Sequence, residues 1–127
     1  MGQRFLIDTN IAIYFLDGHL PASSLPLMSR VINQESNISV ITKIELLGWK
    51  FPNPNKFDIT SAFIDYSNIF PLSEDIVAKT IEIRQQYKIK LPDAIIAATA
   101  IVFDFTLISR NDKDFSNIKE LQYFNPF

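Results

Sequence analysis

The chain contains no cysteine and a single histidine, His19. The first absence excludes disulfide bonds, thiolate metal sites and a cysteine nucleophile. The second excludes, within one chain, a metal site with several histidines and acid–base catalysis by a histidine pair. With only three glycines, the sequence also lacks a glycine-rich loop that would hold a phosphate. Any metal site in this chain therefore has to use oxygen ligands.

Charge and hydrophobicity are both moderate. The 127 residues are 47% hydrophobic and 20% charged, which predicts a single folded domain over residues 1–127. The net charge of −2 argues against a broad basic surface but is compatible with a local basic patch. No apolar run reaches the roughly 18 residues that a membrane span needs, and Asp8 interrupts the first one before it resembles a signal peptide. We expect a soluble cytoplasmic protein.

Short apolar runs alternate with helical patterns along the whole chain. The predicted strands cover residues 5–7, 37–41, 69–72, 105–108 and 121–124, and the predicted helices cover residues 11–16, 27–35, 42–49, 57–67, 74–87 and 93–103. This alternation predicts right-handed crossovers and parallel strands. The fold class is therefore α/β, with a central, mostly parallel sheet of four to five strands flanked by helices.

Acidic residues stand just after a strand or at the start of a helix at four places: Asp8, Glu45, Asp93, and the pair Asp112 and Asp114. Each has an ordinary local explanation. Asp8 is a suitable helix cap, and Thr42 with Glu45 matches a capping box at the start of the third helix. Asp93 follows a proline in a first turn, where the helix dipole favours an anion. The last two acids fit an ordinary polar loop.

Taken together, the acids indicate more than capping. The carboxyl ends of parallel strands share one edge of a sheet, and a buried helix starting near Asp93 can point to the same edge. Several carboxylates in one crevice repel one another unless a cation lies between them. Oxygen ligands without sulfur or histidine favour Mg²⁺ or Mn²⁺. Such a site supports phosphodiester hydrolysis.

Four segments carry a family resemblance: residues 7–10 (IDTN), 41–47 (ITKIELL), 91–100 (LPDAIIAATA) and 109–115 (SRNDKDF). Their order and spacing resemble the PIN-domain family, and more narrowly the VapC-type toxins of bacterial toxin–antitoxin (VapBC) pairs. The resemblance covers nearly the whole chain. Its most specific parts are the Asp-Thr-Asn of the first segment and the Leu-Pro-Asp-Ala…Ala-Ala-Thr of the third.

The resemblance implies a Mg²⁺- or Mn²⁺-dependent endoribonuclease in which the carboxylates bind the metal. Asp8, Glu45 and Asp93 match the first three acidic positions of the family. The fourth position lies in the loop after the fourth strand, where Asn111, Asp112 and Asp114 compete, and Asp114 is favoured. Further residues match supporting positions around the site, namely Thr9 and Asn10 beside the first aspartate, and Ser109 and Asn111 in the loop.

The same resemblance implies a homodimer and a cognate VapB-type antitoxin that inserts a segment near the active site. RNA needs cations to hold it, and the basic residues nearest the acids in the sequence are Lys43, Lys88, Lys90, Arg110 and Lys113. Around the proline break, Trp49, Phe51 and Phe57 fit either core packing or a partner surface.

Two other functions compete with the ribonuclease. A PIN fold without activity would serve as a binding module, which the complete set of acids argues against. A receiver-like signalling domain also places acids around Mg²⁺ at strand ends. That class needs two adjacent acids after the first strand, whereas Asp8 is followed by Thr9.

Overall fold

The computed structural model describes residues 3–127. Five strands alternate with seven helices in this part of the chain. In order they are β1 (Phe5–Ile7), α1 (Thr9–Leu16), α2 (Leu25–Gln34), β2 (Asn37–Ser39), α3 (Val40–Leu47), α4 (Pro54–Tyr66), β3 (Asn68–Phe70), α5 (Glu74–Gln86), α6 (Leu91–Val102), β4 (Thr106–Ile108), α7 (Asp112–Phe115) and β5 (Gln122–Phe124).

The strands form a three-stranded sheet in the order β1-β4-β5 and a two-stranded sheet of β2 and β3. All three strand pairings are parallel. The two sheets adjoin, because β1 contacts β2 and the Asn37 side-chain amide donates to the Phe5 carbonyl oxygen at 2.9 Å. The predicted α/β class and its mostly parallel strands are confirmed.

Hydrophobic residues cover both faces of the larger sheet. Leu6 and Leu107 face one core cluster, and their neighbours Ile7 and Ile108 face the other, as the two-residue period of a strand requires. Helix α6 lies in the first cluster, with every residue from Ala94 to Ala100 buried. Its alanines allow a close approach to the sheet, which brings the start of α6 near the carboxyl ends of β1 and β4.

Helix α3 begins earlier than the sequence indicates. Its cap is Ser39, whose side chain accepts a hydrogen bond from the Ile41 N–H at 3.0 Å. Thr42 is buried inside the helix, so the predicted capping box of Thr42 and Glu45 is wrong. The β-branched Val40 and Ile41 favour a strand locally. The strand stops at Ser39 because the pairing of β2 with β3 ends where Ser39 meets Phe70.

The aromatic residues around the proline break lie at the surface. Trp49 is 51% exposed and Phe57 is 46% exposed, so core packing is the wrong interpretation for both. Their rings pack through Phe51, with centroid distances of 5.1 Å from Trp49 to Phe51 and 5.2 Å from Phe51 to Phe57. Within residues 3–127, no helix has both the length and the apolar character that crossing a bilayer requires.

Candidate active site

Asp8 lies directly after β1 and caps helix α1. Its carboxylate accepts hydrogen bonds from the Thr9 N–H at 2.8 Å and from the Ser109 hydroxyl at 2.6 Å. Ser109 follows β4, and the pairing of Ile7 with Ile108 places it beside Asp8. Burial raises the pKa of Asp8 above its ordinary value, while these two hydrogen bonds oppose the rise. The neighbouring strands thus fix the first carboxylate in position.

Glu45 reaches the same edge of the sheet from α3. The Thr9 hydroxyl donates to its carboxylate at 2.6 Å, and Thr42 Oγ1 lies 3.0 Å from the same hydroxyl. Thr9 was predicted to support the first aspartate. The structure shows that it holds Asp8 through its backbone and Glu45 through its side chain. Thr42 can contact the Thr9 hydroxyl because it lies inside α3. The predicted capping box had assigned Thr42 to the start of the helix instead.

Asp93 lies half-buried in the first turn of α6. Its pKa is raised to about 6, first by burial, then by the charges of Asp8, Asp114 and Glu45, and by a hydrogen bond shared with Asp114. A carboxylate feels these charges only when its neighbours are close. The structure therefore brings together four of the acids singled out in the sequence, and we call Asp8, Glu45, Asp93 and Asp114 the acidic cluster.

The two loop aspartates face different surroundings. Asp114 accepts a hydrogen bond from the Asn111 side-chain amide at 2.8 Å and lies near Asp93. Asp112 instead accepts bonds from the Tyr123 hydroxyl at 2.5 Å and from the Asn125 amide at 3.1 Å and 3.2 Å. The hydrogen bonds from Tyr123 and Asn125 lower the pKa of Asp112. The geometry groups Asp114, and not Asp112, with the other acids.

Asn10 was expected to support Asp8. In the structure its side-chain oxygen accepts from the Arg110 N–H at 3.5 Å, so it contacts the loop after β4. Asn111 caps α7 and holds Asp114, and its own N–H donates to the Ser109 hydroxyl at 3.0 Å. A continuous set of hydrogen bonds thus links Asp8 through Ser109 and Asn111 to Asp114.

The acidic cluster has no basic partner. Within residues 3–127 the ion pairs involve other acids, and none of the four cluster carboxylates lies within ion-pair distance of a lysine or arginine. In the same range, no three acidic or histidine side chains already form a metal-binding group. Four neighbouring oxygen-donor groups nevertheless match the ligand chemistry of Mg²⁺ or Mn²⁺, because a cation would relieve the repulsion between carboxylates.

A basic groove adjoins the cluster at Asp114. It has a volume of about 440 Å³, and its lining includes Arg84, Lys88, Lys90 and Lys113. We call this surface the basic groove. Of the predicted RNA-binding residues, the groove is lined by Lys88, Lys90 and Lys113. Lys43, on α3, and Arg110 lie outside it. Arg84 was missed, although its position four residues before Lys88 was a usable signal.

A second groove adjoins the cluster at Glu45. Its volume is about 420 Å³, and Ile13, Leu16, Leu46 and Trp49 line it beside Glu45. We call this surface the apolar groove. The apolar groove lies between α1, α3 and α4. Trp49 is exposed and lines this groove.

The four acids lie directly after β1, inside α3, in the first turn of α6 and in α7, the short helix that follows β4. The family model described as PIN domain matches residues 5–121. The chain belongs to the PIN-domain family. The family predicted from the sequence is therefore confirmed. A search among curated protein sequences finds no match.

Solved structures extend the comparison with this PIN domain. A toxin–antitoxin complex from Klebsiella pneumoniae contains a chain that is 32% identical, with 96% of this chain and 97% of that chain covered and a TM-score of 0.71. VapBC2 from Rickettsia felis, bound to a promoter DNA fragment, gives 23% identity, 97% and 98% coverage and a TM-score of 0.82. DNA-bound VapBC from Salmonella typhimurium contains a chain that is 18% identical, with 99% of this chain and 100% of that chain covered and a TM-score of 0.84.

Proposed function

We propose that this PIN domain is a Mg²⁺- or Mn²⁺-dependent endoribonuclease and the toxin of a type II toxin–antitoxin pair. The observation that carries the proposal is the acidic cluster, four carboxylates without a basic partner in residues 3–127. Asp8 and Asp93 would hold the metal most directly, with Glu45 and Asp114 completing the site. A metal held there would supply the chemistry of an activated water and of charge stabilisation on the phosphodiester oxygens.

The chain's own residues orient the carboxylates before any substrate arrives. Ser109 fixes Asp8, Thr9 fixes Glu45 and Asn111 fixes Asp114. Prior orientation of this kind avoids reorganisation during the reaction. Without a metal, the pKa of Asp93 is about 6, which reflects burial and the repulsion that a bound cation would relieve.

The basic groove supports RNA as the substrate. The chain carries a net charge of −2, yet four basic side chains line one groove that ends at Asp114. Within residues 3–127 none of these four forms an ion pair with an acid. Unpaired cations along a groove attract the phosphates of a nucleic-acid backbone. We expect the substrate strand to run along the groove to the acidic cluster, in the cytoplasm where cellular RNA is found.

The apolar groove supports an antitoxin as the partner. The similar solved structures are complexes of a toxin with its antitoxin. An apolar segment of a VapB-type antitoxin fits a groove lined by Ile13, Leu16 and Trp49, and a basic residue of that segment could reach Glu45 at its edge. The homodimer implied by the sequence resemblance stays a prediction, to be tested by sedimentation velocity of the purified protein.

The direct test is RNA cleavage by the purified protein with Mg²⁺ or Mn²⁺. Asp8→Asn and Asp93→Asn should each reduce cleavage by about 100-fold or more, as loss of an electrostatic group in an active site does. Asp65→Asn is the matched control, because Asp65 is an exposed acid on α4 away from the cluster. Equal cleavage in EDTA, or full activity of both cluster variants, would refute the proposal.

Membership of the PIN-domain family argues against the receiver-like signalling domain. The inactive binding module is therefore the function that competes with the ribonuclease. Mn²⁺ titration by calorimetry separates the two. An active site should bind Mn²⁺ and lose that binding in Asp8→Asn, whereas an inactive module should show weak binding that the substitution does not change.

A further inference from the structure

Arg110 is held in an unusual way beside the acidic cluster. Its guanidinium carbon lies 4.1 Å from the centroid of the Phe127 ring and 5.5 Å from that of the Tyr14 ring. The two rings also contact each other edge to face at a centroid distance of 5.0 Å. We call Tyr14 and Phe127 the aromatic clip. Planar stacking of this kind suits arginine better than lysine.

A short strap, residues 125–127, places Phe127 in the clip. The Asn125 side-chain amide donates to both carboxylate oxygens of Asp112, and the Phe127 N–H donates to the Asn125 side-chain oxygen at 2.9 Å. Pro126 is buried, and its carbonyl oxygen accepts from the Ser24 hydroxyl. Asp112, the loop acid that lies outside the acidic cluster, therefore anchors the strap that carries Phe127.

Arg110 adjoins the acidic cluster through its backbone, and its guanidinium has no acidic partner. Arg110 directly follows Ser109, the residue bonded to Asp8, and its N–H contacts Asn10. Within residues 3–127 it forms no ion pair. Its guanidinium makes one side-chain hydrogen bond, from Nη1 to the Tyr14 hydroxyl at 3.3 Å. The remaining N–H groups of this exposed side chain are available to a ligand.

We propose that the aromatic clip positions Arg110 to bind a backbone phosphate of the RNA substrate beside the acidic cluster. This inference rests on the proposed ribonuclease function and adds a residue-level account of how the substrate is held. Arg110 is the binding residue, with its planar N–H edge facing the phosphate. Tyr14 and Phe127 are positioning residues, and Asp112 acts through the strap.

Two alternative ligands are less well suited. A base would have to displace Phe127 to stack on the guanidinium, because the ring already occupies that face. An acidic segment of a partner protein would place more negative charge beside a cluster that already repels it. A phosphate of the substrate strand also brings negative charge, but the strand continues into the unpaired cations of the basic groove.

The test measures binding of a labelled, mixed-sequence single-stranded oligoribonucleotide by fluorescence anisotropy. All proteins carry Asp93→Asn, which prevents cleavage during the measurement. Arg110→Gln should weaken binding about tenfold and lower the slope of log affinity against log salt by about 0.7, the change expected for one lost phosphate contact on a single strand. Arg30→Gln, which removes an exposed arginine on α2, is the control and should leave both quantities unchanged.

The clip is tested by a second set of variants in the same background. Phe127→Leu should weaken binding about threefold, whereas Phe127→Tyr, which keeps the aromatic ring, should bind as the parent does. Arg110→Lys should bind no better than Phe127→Leu, because the charge remains but the stacked geometry is lost. Combining Phe127→Leu with Arg110→Gln should weaken binding no more than Arg110→Gln alone.

The outcomes are distinguishable. Unchanged affinity and slope in Arg110→Gln, full affinity in both Arg110→Lys and Phe127→Leu, or an effect of Arg110→Gln on antitoxin binding alone would each overturn the inference. Cleavage of RNA by the protein without Asp93→Asn, in Mn²⁺, reports separately on the proposed function. A protein that cleaves RNA but binds it independently of Arg110 refutes only the inference.

Discussion

The basic groove and the apolar groove adjoin different acids of the same cluster and have similar volumes, but they differ in the chemical character of their lining. The basic groove ends at Asp114 and presents four cations. The apolar groove ends at Glu45 and presents Ile13, Leu16, Leu46 and Trp49. Unpaired cations favour a polyanion, whereas exposed apolar side chains favour a protein segment. Under the proposed function, we expect RNA and the antitoxin to approach one set of acids from separate surfaces.

Separate surfaces can be altered separately. A substitution in the cluster should affect catalysis, one in the basic groove should affect RNA binding, and one in the apolar groove should affect antitoxin binding. If a single substitution impaired all three alike, the division between the grooves would be wrong. Four sets of substitutions test this division between the grooves, and their expected effects differ in size.

The largest effect is expected at the junction of the cluster and the basic groove. Asp114→Asn should reduce the cleavage rate by about 100-fold or more, because it removes a carboxylate of the site. Asp112→Asn, two residues earlier, should change cleavage by less than about fivefold and through KM, because it loosens the strap that holds Arg110. Steady-state kinetics with a labelled RNA measures both. Equal losses in kcat would contradict the assignment of the fourth acid.

The next effect is expected in the apolar groove. Trp49→Ala should weaken antitoxin binding by about 30-fold, since a truncated tryptophan anchor typically loses 2 kcal/mol or more. Surface plasmon resonance with the cognate antitoxin measures the loss. Ile81→Ala is the control, because Ile81 is similarly exposed, at 54%, but lies on α5 outside the groove. If Trp49→Ala bound the antitoxin with wild-type affinity, the apolar groove would not be the antitoxin-binding surface.

A smaller effect is expected in the basic groove. Replacing both Lys88 and Lys90 by glutamine should weaken RNA binding about tenfold at low salt and reduce the salt slope by about 1.4, for two lost phosphate contacts. Antitoxin binding should change far less. Lys119→Gln, at an exposed lysine outside both grooves, controls for loss of charge alone. A salt slope equal to that of the wild-type protein would show that these lysines do not contact RNA.

The smallest effect concerns the cluster between the grooves. Because its pKa in the folded protein is about 6, Asp93 binds its proton more tightly there than in the unfolded chain. Metal-free wild-type protein should therefore lose stability as the pH rises from about 4 to about 6. The Asp93→Asn variant should not show this loss of stability, because asparagine does not titrate.

Urea unfolding without divalent ions measures this pH dependence. The stability of Asp93→Asn relative to wild type should be greater at pH 7 than at pH 4 by about 1 kcal/mol, after allowance for the partial exposure of the carboxylate. Mn²⁺ should stabilise the wild-type protein more than the variant. A stability difference that does not vary with pH would show that the neighbouring acids do not act on Asp93.

Much of the site followed from one rule about sheets. Asp8 was singled out because it follows an apolar run, and parallel strands bring their carboxyl ends to one edge. Ser109 was named through the family resemblance, and it follows the neighbouring strand β4. The structure joins the two side chains directly. Asp93 followed from a buried alanine-rich helix, which must lie close to the sheet. Asp8 and Asp93 were predictable because short-range patterns determine where β1 ends and where α6 begins.

Other features depend on partners that no local pattern reveals. Thr42 matched a capping box, but the pairing of β2 with β3 ended the strand sooner and put Thr42 inside α3. The sequence favoured Asp114 over Asp112 only through the family resemblance. The contacts of Asp112 with Tyr123 and Asn125 separate the two acids in the structure. The contact of Phe127 with Arg110 also joins distant parts of the chain, with no spacing rule to predict it.

The hydrogen bond between Ser109 and Asp8 spans 101 positions of the sequence, which has a consequence for the order of events during synthesis. Long-range contacts form late, because the intervening chain must first fold. A nascent chain that has not yet reached β4 carries Asp8 without its hydroxyl partner, without Asp93 in place and without Asp114. The proposed nuclease therefore gains its active site only after translation of residue 114, so the ribosome that makes the toxin works beside an inactive chain until then.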